Sequence, residues 1–194
     1  MIVERRRRGR WALRMDAEEL AHLEAALDGY ALVIEDVDTT TTAAGTPNPG
    51  PRTPDDPFAA WDAQLEGTLD SPTRLLADAF PDDPAANADF HAAHDAELLA
   101  GFRADLVALR ADVETLRHGA LTMDERSTLR WARTCSTMRV AIADQLGVID
   151  EISARQIAEA AQEGLETDLH HMHEWLGALT EILIDVAWPD PSAP

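Results

Sequence analysis

The chain predicts a mainly α fold, a helical bundle with a small N-terminal β-hairpin, on three observations. Apolar residues recur at helical spacing over most of its 194 residues. Capping signals stand in front of those runs, and glycines stand behind several of them. The apolar content is 45% of residues with only 5% aromatic, and most of it is Ala and Leu, which helices favour by intrinsic propensity. A chain of this length fits one helical domain, expected over residues 1–188, with 38–57 a flexible Pro/Thr-rich loop inside it and 189–194 a C-terminal tail.

The elements follow in order. Trp11, Leu13 and Met15 alternate with Ala12 and Arg14 beyond a turn at Arg8-Gly9, a period of two that predicts the hairpin. Asp16 and Glu19 form a capping-box pattern, and Leu20, Leu23, Leu27, Tyr30, Ala31 and Ile34 then recur at helical spacing. Residues 38–57 hold a threonine run, five prolines and two glycines, which predicts that the helix stops at Asp38. Short helices are expected over 58–69 and from Ser71 to about Phe80. Asp83 before Pro84 is a capping acid before a proline suited to the first helical turn, and Phe90, Leu98, Phe102, Leu106, Leu109, Val113 and Leu116 carry a long helix to Arg117. His118-Gly119 ends it. Thr122 with Glu125 reads as the next capping box, opening a helix to Leu146 whose stripe is Thr128, Trp131, Cys135, Met138, Ile142 and Gln145. Gly147 supplies the stop. Residues 150–188 read as helix, with Gly164 as the candidate interruption and Leu165, Leu169, Met172, Leu176, Leu179, Leu183 and Val186 as the buried side.

The formal net charge is −20, and all 16 basic residues are arginine. Such a charge repels polyanions, so tight autonomous nucleic-acid binding is disfavoured, and DNA contact is expected only indirectly or through a local arginine cluster. A single cysteine excludes an intramolecular disulfide and a four-cysteine zinc site. No apolar run is long enough to cross a membrane, since Glu181 and Asp185 break the most apolar stretch, and no hydrophobic core follows Arg5 to Arg8 as a signal peptide requires. The expected compartment is therefore the cytoplasm.

Candidate chemistry is sparse. Neither G-x-S-x-G, nor a glycine-rich phosphate loop, nor H-E-x-x-H occurs, so no catalytic residue, metal or cofactor is expected. His91 with His94, the group His170, His171 and His173, and the spacings Glu19 to His22 and Asp168 to His171 are the places where metal chemistry could sit, against the bland reading of solvated or half-buried histidines. Cys135 is the redox candidate, with Arg133 and Arg139 near in sequence, while its place in an apolar stripe favours a packing role. Arg5, Arg6, Arg7, Arg8 and Arg10 form the concentrated positive charge of an acidic chain and are the candidate partner-binding residues, against a solvated turn as the plainer reading.

The order of the basic hairpin, the Asp16 helix start, the Pro-rich loop, FPDDPAANADF (Phe80 to Phe90), LRWARTCSTMRVAIADQLGV (Leu129 to Val148) and HEWLGAL (His173 to Leu179) resembles the actinobacterial AosR-like oxidative-stress regulators. Members of that family are commonly encoded near the Clp-protease adaptor ClpS. The resemblance implies a non-enzymatic transcriptional regulator of the oxidative-stress response that contacts RNA polymerase or a sigma factor. Its redox role rests on paired cysteines, and here Trp131 and Arg139 stand four residues to either side of Cys135 with no second thiol in the chain. The competing expectations are a small metal-dependent enzyme built on helix-borne His and carboxylates, and an accessory factor of the Clp protease system.

Overall fold

The computed structural model describes residues 1–6, 10–44, 74–148, 150–160 and 168–188. The expected helix over 58–69 and the tail at 189–194 lie outside the described residues. The fold is mainly helical with a small antiparallel sheet, as the sequence predicts. Strands β1 (Ile2–Arg6) and β2 (Arg10–Arg14) form the hairpin, in a register that sets Ile2 opposite Arg14 and Arg6 opposite Arg10. Helix α1 (Ala17–Ala44) follows, then a 3-10 turn (Arg74–Leu76), helix α2 (Pro84–Arg117), strand β3 (Leu121–Met123), and helices α3 (Glu125–Gln145), α4 (Glu151–Ala160) and α5 (Asp168–Ala187).

Local signals start and stop these helices. Asp16 accepts from the Glu19 backbone N–H at 2.9 Å and Glu19 accepts from the Asp16 N–H at 2.9 Å, closing the expected capping box. Asp83 accepts from Ala86 N–H at 3.1 Å with Pro84 opening α2. Gly147 ends α3 at φ +74°, a left-handed conformation that a Cβ disfavours.

Four expectations change. The sheet has three strands, because β3 pairs with β2 through Trp11–Met123, Ala12–Thr122 and Leu13–Leu121. Thr122 is therefore a strand residue, and the cap of α3 is Asp124, which accepts from Ser127 N–H at 2.9 Å while Ser127 Oγ accepts from Asp124 N–H at 2.9 Å. Helix α1 does not stop at Asp38: it continues to Ala44, held to α2 where Arg103 meets Asp38 at 2.7 Å. The rest of the expected loop, 45–57, lies outside the described residues. Among the described residues of the segment expected to be helical from Ser71 to about Phe80, 74–80, the helical part is the 3-10 turn, whose Leu75 and Leu76 are buried.

The core lies where four helices meet the sheet. Helix α3 runs through its centre, packing most extensively on α5, while α1 lies along α2. Leu23, Leu27 and Ile34 of α1, Leu109 and Leu116 of α2, Trp131, Cys135 and Met138 of α3, and Leu176 and Leu179 of α5 are fully buried. The helix edges of the predicted stripes are wetter than the pattern suggests, with Leu98, Leu169 and Gln145 exposed. At Gly177 of α5 an added Cβ would stand 3.2 Å from the Arg139 guanidinium carbon, so this glycine lets α3 and α5 approach closely. Helix α4, capped by Asp150 and Ser153, carries no buried residue. Among the described residues no helix is long and apolar enough to cross a membrane.

Candidate functional site

The arginines are the first group to place. Arg5 and Arg6 belong to β1 and Arg10 to β2, whereas Arg7 and Arg8 lie outside the described residues. Because β3 pairs beside β2 and leads at once into α3, the exposed Arg10 side chain comes next to the first turns of that helix. Arg10, Arg126 and Arg130 line one hollow together with Thr122, Met123, Asp124 and Ser127. One turn further along, Arg126, Arg130 and Arg133 line a second hollow with Asp105, Glu125 and Leu129. The three α3 arginines are absent from the sequence-level candidates, although their i, i+4, i+7 spacing places them on one helix face.

Charge pairing divides this set. Arg130 donates to Asp112 Oδ2 at 3.1 Å and Arg133 to Asp105 Oδ2 at 2.5 Å, and Trp131 Nε1 donates to the same Asp112 oxygen at 2.8 Å. Arg110 and Arg117 are likewise paired, with Asp28 and with Glu24 and Glu114. Arg10 and Arg126 make no hydrogen bond or ion pair among the described residues. The Arg130 Nε is buried without a partner among them. Asp124, in the same hollow, is held below the usual carboxylate range by the Ser127 backbone and side chain, with a smaller contribution from Arg10. It is committed to capping α3.

The histidines have structural work. His22 and His171, from the two carboxylate-x-x-His spacings, come together with rings 5.8 Å apart, beside Trp175 at 6.1 Å. Glu19 of the first spacing is engaged in the α1 cap, and among the described residues no group of three His, Cys, Asp or Glu side chains could hold a metal ion. His94 stacks on Phe90 at 4.5 Å and bonds the Phe90 carbonyl through Nδ1 at 2.8 Å. Burial pushes His173 below its ordinary pKa.

His91 bridges two carboxylates: Nε2 lies 2.9 Å from Asp78 Oδ1, and Nδ1 lies 3.0 Å from the buried Asp95 Oδ1. Asn87 donates to the same Asp78 oxygen at 2.6 Å, so the stretch before α2 is tied down at this point. The bonds to Asp78 and then Asp95 raise the His91 pKa, and the bond to His91 lowers that of Asp78. A raised histidine pKa adds stability that is complete below the unfolded value and disappears as pH rises through the folded one; the Asp78 contribution disappears instead in acid. The melting-temperature gap between the native protein and His91→Gln is therefore expected to shrink between about pH 5.5 and pH 8. A gap that stays level or widens over that range would show that His91 is not charged in its bridge.

Cys135 is wholly buried within α3, and burial pushes its thiol up to about 12. Neither Arg133 nor Arg139 offsets this, since desolvation is the sole cause of the shift.

In comparison with known proteins, the family described as Domain of unknown function (DUF2017) matches residues 1–187. No curated protein and no solved structure matches the chain. With 187 of its 194 residues covered by that match, the chain belongs to the DUF2017 family.

Proposed function

We propose that this chain is a non-enzymatic regulatory or adaptor protein of the cytoplasm, whose arginine-lined hollows receive an acidic protein segment. One observation carries the reading. In a chain of net charge −20, where carboxylates are abundant enough to pair most arginines, Arg10 and Arg126 stay unpaired among the described residues and line the same hollow as Arg130. Guanidinium groups that make no intramolecular hydrogen bond or ion pair are available to a partner's carboxylates, with which they form forked, charge-assisted hydrogen bonds. The resemblance to AosR-like regulators makes RNA polymerase or a sigma factor the partner, and oxidative stress the condition.

A protein partner is favoured over DNA because the net charge opposes a long polyanion everywhere beyond this face. The test uses purified RNA polymerase with its sigma factors and three forms of the full chain: native, Arg126→Gln, and the set with Arg5, Arg6, Arg7, Arg8 and Arg10 all changed to Gln. Each variant is expected to weaken association by about tenfold with an unchanged melting curve. Unchanged affinity in both would sink the proposal. Loss of DNA binding with a logarithmic salt slope of about −0.9 per phosphate contact would replace the protein partner with a nucleic acid.

A further inference from the structure

A different face of the molecule carries an inference that goes beyond the arginine-lined site. Between α1, α3 and α5 lies an apolar hollow of about 190 Å³. Small residues of α1 open it: Ala25, Ala26 and Gly29 line its wall, and a Cβ built on Gly29 would meet no atom within 4 Å. Met138 of α3 and Met172 of α5 supply thioethers. At the exposed rim stand Gln145 and Asp168, and among the described lining residues Asp168 is the one that carries charge.

From these features we infer that the hollow is a binding site for a small aromatic amine, a single ring carrying an ammonium group on a short linker. Size comes first: an apolar cavity of about 150 Å³ accepts benzene, so this one accommodates one ring. Methionine sulfurs make favourable contacts with ring edges and adapt to the shape of the guest. Charge sets the polar end, because an ammonium at the rim meets the Asp168 carboxylate whereas a ligand carboxylate would meet a like charge, an effect that the partial positive charge of the α5 N-terminus, which Asp168 opens, reduces without reversing. Asp168 is exposed, so the discrimination is modest, about three- to fivefold between ammonium and neutral forms.

The experiment titrates three probes of one shape, phenethylammonium, 2-phenylethanol and 3-phenylpropionate, onto the full chain by ligand-observed NMR at physiological salt. Dissociation constants in roughly the millimolar range are expected, tightest for the ammonium and weakest for the carboxylate. Asp168→Asn should bring the ammonium to the level of the alcohol and leave the alcohol unchanged. Gly29→Leu places a side chain in the empty space and should abolish binding of all three; Ala25→Leu does the same from a neighbouring turn if Gly29→Leu melts early. Both filling variants keep the net charge, so binding that survives them is diffuse attraction to an acidic surface and overturns the site. Equal binding of the three probes to the native chain, or no binding by any, overturns it as well. An ammonium preference that persists in Asp168→Asn also overturns it, because the charge discrimination would then not come from the rim.

Discussion

Trp131→Ala is expected to destabilise the protein by about 3–5 kcal/mol, read from the midpoint of urea unfolding at constant slope. The indole is wholly buried in the centre of α3, so truncation removes a large apolar surface and leaves a cavity that neighbouring helices fill only in part. It also removes the donor at 2.8 Å from Asp112, a carboxylate that must then rely on Arg130 alone. Because folding stability is typically about 5–15 kcal/mol, a loss of this size shifts the unfolding transition far toward low denaturant. Trp131→Phe separates the two effects: much of the packing stays and only the indole donor goes, so its cost should be clearly smaller. A loss below about 1 kcal/mol for the alanine variant would contradict the central placement of Trp131. The same side chain links core to site, since the Asp112 oxygen it engages also holds Arg130 beside Arg126.

Native Cys135 is expected to resist alkylation. With the thiol pushed up to about 12 from an ordinary value of 9.0, the thiolate fraction at neutral to mildly alkaline pH drops about a thousandfold, and burial denies the reagent access besides. Iodoacetamide at pH 8 should label the urea-unfolded chain at least about a thousandfold faster than the folded one. Peroxide followed by a sulfenic-acid probe should likewise leave the folded thiol unmodified, because oxidation follows thiolate character and exposure. Comparable rates in the two states would show that Cys135 is reached without unfolding, and the redox reading of this residue would regain its physical basis. Slow labelling instead assigns the thiol to packing between α3 and its neighbours.

The parts of the fold legible in the sequence are those decided within a few residues. The Asp16–Glu19 box, the Asp83–Pro84 start and the Gly147 stop each bring donor, acceptor or backbone freedom to the place where it is used. The stripes of α1, α2 and α3 were readable for a similar reason: burial of one face repeats with the helical period whatever the partner is. The start of α3 shows the limit. Thr122–Glu125 and Asp124–Ser127 are both plausible local boxes, and the choice between them follows from Thr122 pairing with Ala12 of β2. A three-residue strand has too few positions to display a period of two, so β3 exists because β2 offers it an edge.

The end of α1 was decided in the same way. Its threonine run has low helix propensity, yet the helix runs to Ala44; tertiary contact accounts for its passing Val37, which is buried, and Asp38, which reaches Arg103 of α2. For the candidate site, the amino-acid sequence alone determined that positive charge concentrates near the N-terminus of an acidic chain and that the fold is mainly helical. Only the tertiary structure decided that Arg10 shares a hollow with Arg126 and Arg130, and that these arginines differ in which already have carboxylate partners. The physical reason is range. Caps, stops and stripes are contacts between near neighbours in the chain, whereas a shared hollow and the pairing of its charges depend on strand order and helix packing between residues far apart in sequence.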